Sequence, residues 1–406
     1  MKITAKAILI ALAASATAFA GAATTVAPNP CPEEVTSSGI YDGNLFAPED
    51  GDPAYKIAAN EKYGFQFAGD MAVGYWNNNN GMDSSADNST YYLFHGQAAK
   101  NLIKDNVNGG LWFRTELSIS VALDRDSRHD EADFNGAAGS ITAPHADIMG
   151  PNNVAIPEML LTQYYNKKKL AVSFGMVNLT NYFDAVGIAN DSFGSFTNSG
   201  LVNSTILPLV DSNLGTVVQY QINDDNYAMV AASRTCTETG YNPFRSGRGY
   251  ALVGEYGYTF ADGDATLRVN PFMDAQEGDA GYDYNVGLVA SIEYALNDNV
   301  TVYARAGFSG DDNLGNGAEL SFGTHIRPFS SREDDFVGIA YCFTKPAGCD
   351  DDSEIGSSEN VLEVIYSLQL TDTVKLVPHF QYIHGAADQA AKQDQCIFGV
   401  QTVYSF

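Results

Sequence analysis

The chain has 406 residues, 12% of them aromatic, with a mean hydropathy of −0.15 and a formal charge of −27. So acidic a composition lacks the Lys and Arg clusters that bind phosphates, which excludes a nucleic-acid partner. No apolar run reaches the ~20 residues a membrane helix needs, so a membrane-resident chain must cross as a closed barrel.

In chain order, Lys2 and Lys6 precede an apolar run at 7–12, and Ala18-Phe19-Ala20 offers small residues for cleavage. Residues 1–22 therefore read as a secretory signal, cut near Ala20 to Ala22. Cys31 lies well past the cut, so no lipoprotein is expected. Residues 23–62, rich in Pro, Glu, Asp and Ser and without a period, read as a flexible acidic periplasmic arm, with a short plug in the lumen as the alternative.

A barrel is expected over 63–406, and alternation is its signature. Over 111–124, Leu111, Phe113, Thr115, Leu117, Ile119, Val121 and Leu123 share one face, while Trp112, Arg114, Glu116, Ser118, Ser120 and Asp124 share the other. Side chains of a strand point alternately to opposite faces, so one side suits lipid and the other water. An antiparallel sandwich also alternates; the apolar outward face in nearly every run favours the barrel. Strands are expected near 63–76, 90–101, 111–124, 154–166, 168–178, 214–223, 226–235, 248–260, 264–273, 282–296, 299–309, 316–327, 335–345, 359–370, 373–384 and 396–406. Short turns at 166–167, 223–225, 261–263, 297–298 and 371–372 then alternate with longer outer loops, including 125–153, 235–247 and 345–358. That is the pattern of an all-β transmembrane antiparallel barrel of about sixteen strands with both termini in the periplasm.

Residues 177–209 break the alternation. They are rich in Asn, Ser, Thr, Gly and Phe, and they carry Asp184, Asn190 and Asp191, which suit neither a lipid-facing strand nor a charged surface loop. So long a segment without a period is functional or disordered, and Tyr182, Phe183, Phe193 and Phe196 argue against disorder. It reads as a loop folded into the bore as a constriction. The chain closes on an alternating strand ending at Phe406, like the last strand of outer-membrane barrels.

Residues 178–184, the run NDSFGSFTNSGLVNS at 190–204 and the stretch ENVLEVIYSLQLTDTVKLVPHFQYIHG at 359–385 resemble the carbohydrate-selective porin family of the bacterial outer membrane, the OprB type. The resemblance implies passive diffusion of mono- or oligosaccharides through a pore of roughly sixteen strands, without cofactor. It makes Asp184, Asn190, Asp191 and Asn198 the candidates for loop-borne sugar contacts.

Parity alone points Trp112, Arg114, Glu116, Arg268, Glu293, Tyr303, Arg305, Glu319, Arg327 and Glu363 inward. Guanidinium and carboxylate groups hydrogen-bond hydroxyls laterally, and aromatic faces stack on sugar rings; the same charges could instead pair with one another in a wet pore. His129, His145, His325 and His379 are scattered, and neither HExxH nor GxSxG occurs, so no enzyme is expected. The acidic tracts 124–133 and 350–354 lack EF-hand spacing; bridging to lipopolysaccharide through divalent cations is the reading left for them beside solvated loop charge. Cys342 with Cys349, and Cys236 with Cys396, are disulfide candidates, with connectivity open. A general cation-preferring porin and a barrel serving as structural anchor or adhesin are the rival functions, and the assembly is read as monomer or homotrimer.

Overall fold

A computed structural model of the chain describes residues 54–79, 88–105, 107–123, 134–138, 140–148, 152–235, 249–278, 281–310, 316–328, 331–332, 334–346, 358–385 and 394–406. After a helix α1 (Ala54–Tyr63), the wall is made of β1 (Phe65–Asn78), β2 (Asn88–Ile103), β3 (Leu111–Ala122), β4 (Asn152–Ala155), β5 (Met159–Tyr165), β6 (Leu170–Val177), β7 (Asn213–Gln221), β8 (Asn226–Thr235) and β9 (Gly249–Phe260). It continues through β10 (Ala265–Gly278), β11 (Gly281–Asn297), β12 (Val300–Ser309), β13 (Asn316–Ile326), β14 (Phe336–Pro346), β15 (Glu359–Thr371), β16 (Val374–His384) and β17 (Gln395–Ser405). Apart from β4 and β5, each strand pairs antiparallel with its sequence neighbours, and β1 pairs with both β2 and β17, which closes the sheet. The β4 and β5 strands pair with opposite ends of β3 and share one stave, so the wall has sixteen staves. The single strand expected at 154–166 is interrupted at Pro157, which has no N–H to give to the ladder; the Glu116 N–H donates to the Glu158 carbonyl across the break at 2.9 Å.

Closure leaves no unpaired edge for lipid to desolvate. Apolar side chains stand outward, with Phe174 and Phe308 each 60% exposed. Across neighbouring strands Tyr165 faces Leu170, Leu170 faces Tyr220, Tyr220 faces Ala228 and Ala228 faces Tyr256, a belt of the kind that lies at a membrane interface.

Two expectations are corrected here. The arm read as flexible to residue 62 ends in α1, whose Tyr55 stacks on Phe67 at 6.1 Å and whose Asn60 carbonyl accepts the Gly64 N–H at 2.8 Å; residues 1–53 lie outside the described residues. The connection 125–153, expected wholly as an outer loop, sends residues 134–138, a short helix α2 (Phe134–Ala138), and 140–148 into the lumen. There Phe134 packs 6.5 Å from the Trp76 ring and His145 meets the same ring edge-on at 4.8 Å. Beside it runs the segment between β6 and β7, with a short helix α3 (Ser199–Val202). Val186, Ala189, Phe193, Phe196 and Leu201 of that segment join Phe134 and Ile148 in one apolar cluster.

Candidate permeation site

A chain segment crossing a barrel interior has no ladder to satisfy its backbone, and each buried N–H left unpaired is costly. The wall answers with carboxylates, which accept several hydrogen bonds apiece. Glu363 accepts from the Thr197 N–H (3.0 Å), the Thr197 hydroxyl (3.0 Å) and the Asn198 N–H (3.1 Å). Glu319 accepts from the Thr205 N–H at 2.7 Å and from the hydroxyls of Ser204 and Thr205. Glu293 accepts from Gly187 N–H (2.9 Å) and Ile188 N–H (3.0 Å), and Glu255 from Asp184 N–H (3.0 Å). Glu116 takes the side-chain amides of Asn178 and Asn181, and Glu359 holds the second inward segment through Ile141 N–H (2.7 Å) and Thr142 N–H (2.9 Å).

One cation completes the clamp. Arg305 has no exposed side-chain surface; its Nε donates to Asp184 Oδ1 at 2.9 Å and its other nitrogens reach the carbonyls of Gly200, Leu201 and Val202 at the end of α3. Asp184 also accepts the Ser204 N–H at 2.6 Å and sits at φ 56°, a left-handed conformation that Asp tolerates better than most side chains. Gly200 is required beside this pair, because a Cβ there would lie 2.6 Å from Thr142 Cγ2.

The residues expected to meet sugar thus divide. Asp184 and Asn198 of the segment, and Tyr303, Arg305 and Glu363 of the wall, are sealed where the two meet. Arg114 and Glu116 are buried too: Arg114 reaches Tyr182 Oη and pairs with Glu158 at 3.3 Å, while Glu116 pairs with His95 at 2.8 Å. Trp112 stands nearer the short-turn end, and Arg327 is exposed beyond β13, donating to the Asp298 carbonyl, outside the lumen where parity had put it. Asn190, Asp191 and Arg268 remain at the water-facing surface. Arg268 is 12% exposed and lies 3.9 Å from Glu293, and its Nη1 makes no hydrogen bond. Asp191 is exposed; its Oδ1 accepts the N–H groups of Phe193 and Gly194, and a Cβ on Gly194 would come within 2.5 Å of Asp191 Oδ2 and 3.2 Å of Lys375 Nζ.

Sequence reasoning passed over Glu158, Glu255, Glu359, His95 and Lys375. Strand parity could have marked Glu255, Glu359 and Lys375 as inward. Nothing in the sequence marked 134–148. There, burial holds the His145 imidazole down to about 4, in its neutral form.

Cys342 and Cys396 are free thiols in the structure; Cys342 is buried in the lumen, where a Cβ on Gly200 would lie 3.0 Å from its sulfur. Cys236, Cys349 and the acidic tracts 124–133 and 350–354 lie outside the described residues. Among the described residues no group of three or more His, Cys, Asp or Glu is placed to hold a metal.

With this geometry in hand, the comparisons are specific. The model of the carbohydrate-selective porin, OprB family, matches residues 131–406. Among solved structures, the high-pH structure of Pseudomonas putida OprB superposes with a TM-score of 0.69 at 15% identity, covering 87% of this chain and 96% of that one. OmpT of Vibrio cholerae gives 0.53 at 11% identity over 84% and 97%, and a variant of the Rh. blastica porin 0.51 at 13% over 84% and 100%. At such identities the likeness is one of fold. No curated protein matches the sequence.

Proposed function

We propose a division of labour inside the pore of this chain, which belongs to the carbohydrate-selective porin, OprB family, and is a sugar-preferring porin of the bacterial outer membrane: buried carboxylates fix the bore, and a few partly exposed charges rank the solutes. The ranking groups are Arg268 with Glu293, and Asp191 with Lys375, joined by Asn190. Each pair sets a donor beside an acceptor, the arrangement that vicinal hydroxyls can bridge, and each nearly cancels its own charge. A neutral, hydroxyl-rich solute exchanges its water for such groups at little loss, whereas an apolar solute of the same size leaves them unpaired.

The observation that carries this reading is the Arg268–Glu293 pair beside the bore, 3.9 Å apart with 12% and 18% of the two side chains exposed, an ion pair in which Arg268 Nη1 makes no hydrogen bond. Liposome swelling with glucose, maltose and amino acids of similar size tests it. Arg268→Ala is expected to lower the sugar rate about tenfold relative to amino acids, the loss of one hydrogen bond to a charged group. An unchanged ratio overturns the assignment, and an equal rise in every rate would mean that Arg268 merely narrows the bore.

The remaining parts follow from the sequence. Residues 1–22 are a leader removed on export, residues 23–62 are a periplasmic arm that ends in α1, and the acidic outer loops join lipopolysaccharide through divalent cations. Magnesium removal is then expected to lower the stability of the protein in lipopolysaccharide-containing membranes and to leave it unchanged in phospholipid alone.

A further inference from the structure

A second site lies away from the constriction. At the short-turn end of the lumen, a cleft of about 390 Å³ is lined by Asn60 and Glu61 of α1, Gln66 of β1, Asn101 and Lys104 at the end of β2, Trp112 of β3, Tyr164 of β5 and Lys168. The volume falls at the lower end of the ~300–1,000 Å³ range of small-molecule sites. Trp112 is four residues from Glu116 along β3, about 13 Å at a strand's rise of about 3.3 Å per residue, so the cleft is separate from the clamp.

Its chemistry is that of a site lacking an occupant. Gln66 is 3% exposed, and its Oε1 accepts no hydrogen bond, although its Nε2 donates to Asn60 Oδ1 at 3.2 Å. Asn101 Oδ1 likewise has no donor. Buried acceptors without donors are rare because each costs most of a hydrogen bond. Beside them stand two ammonium donors, Lys104 and Lys168. Trp112 Nε1 is already committed to the Gly109 carbonyl at 2.8 Å, so what Trp112 presents is its ring. Asp105 is committed too, accepting from the Val107 and Asn108 N–H groups and the Asn108 amide. Two lysines against Glu61 and Asp105 leave no net charge to select an ion.

We propose that this cleft is an exit subsite for one neutral hexose unit, whose hydroxyls donate to Gln66 and Asn101 and accept from Lys104 and Lys168 while the ring lies against Trp112. The proposal rests on the sugar-porin reading. An aromatic face and paired donors and acceptors suit a pyranose, with its apolar C–H face and equatorial hydroxyls. A weak second site gives the sugar an intermediate stop between constriction and periplasm, favourable enough to enter and weak enough to leave, as multi-site pores require.

The chain has two tryptophans, so emission of the purified full-length porin in detergent, read against a Trp112→Phe variant, isolates Trp112. Glucose is expected to change the Trp112 signal saturably, and the double variant Gln66→Leu with Asn101→Leu to raise the half-saturating concentration at least tenfold. In oriented planar bilayers, glucose on the periplasmic side is expected to block current in the wild type and to do so at least tenfold less readily in the double variant. A linear or absent response, or one unaltered in a double variant that still forms channels, overturns the subsite. Tighter binding of glucuronate than of glucose by tenfold overturns the neutral-sugar assignment. Swelling assays on the same preparation keep the two readings apart. If sugar preference persists while Trp112 is silent, only the exit subsite fails; if sugar preference is lost while Trp112 still responds, it is the constriction reading that fails.

Discussion

The barrel wall and the segment between β6 and β7 solve the same problem by opposite means. In the wall every backbone group finds its partner on the next strand, so side chains are released to face lipid or lumen by simple alternation. In the segment the backbone has no such neighbour, and its N–H groups are taken up by glutamates reaching in from β9, β11, β13 and β15. An inward glutamate in a porin is therefore not by itself a solute contact. Whether it meets the solute or the protein depends on what lies across the lumen from it.

The sharpest way to break this comparison is at Arg305. Arg305→Ala strands the Asp184 carboxylate in a buried site, at a cost of about 3–5 kcal/mol to the seating of the segment. The wall keeps its ladder, so heat-modifiable gel mobility is expected to persist while single-channel conductance rises several-fold and protease cuts appear within 178–212. Wild-type conductance in a folded Arg305→Ala barrel would show that the segment is held by its apolar contacts alone.

A smaller effect is expected at Glu319, where Glu319→Ala orphans the Thr205 N–H and the Ser204 hydroxyl proton at about 2 kcal/mol, while the Thr205 hydroxyl keeps Thr344. Noisy gating between two conductance levels is the expected readout, with Glu319→Gln intermediate. Indistinguishable traces for all three forms would remove Glu319 from the clamp.

Protons probe the second inward segment. His145 is held neutral to about pH 4 when seated, whereas a released histidine titrates near 6.5. The released form therefore binds more protons, so seating is fully favoured above pH 6.5 and weakens as pH falls from there towards 4. The ratio of seated to released segment is expected to drop by up to tenfold per pH unit in that window and to level off below it. Proteolysis within 134–148 measured across pH checks this, and His145→Gln should flatten the profile. A rise in seating on acidification would reverse the sign and sink the idea.

The smallest effect separates wall from pore surface. Asp191→Asn removes an exposed carboxylate that clamps only its own turn, and its reversal potential is expected to move by a few millivolts towards anions, less at high salt because exposed charges are screened. An equal shift from Glu363→Gln, which is sealed, would erase the distinction between clamps and contacts.

Much of this was legible in the sequence and the remainder was not, for a physical reason. Alternation is a local property, because the direction of a side chain follows from the pleat of its own strand, and so the staves, the lipid face and the inward set, including Arg305 and Glu363, could be read from residue order. The unusual composition of 177–209 and its likeness to a sugar-porin family likewise sufficed to place a loop in the bore. What Arg305 and Glu363 of the wall and Asp184 of the segment do there was decided only by tertiary structure, since Arg305 meets Asp184 and Val202, and Glu363 meets Thr197, across more than a hundred residues of chain. The inward path of 134–148 was hidden for the same reason: its burial depends on Trp76 and Glu359, far away in sequence, rather than on any period of its own. Strand parity likewise turns Cys342 inward, but only the fold shows that its sulfur packs against the α3 backbone.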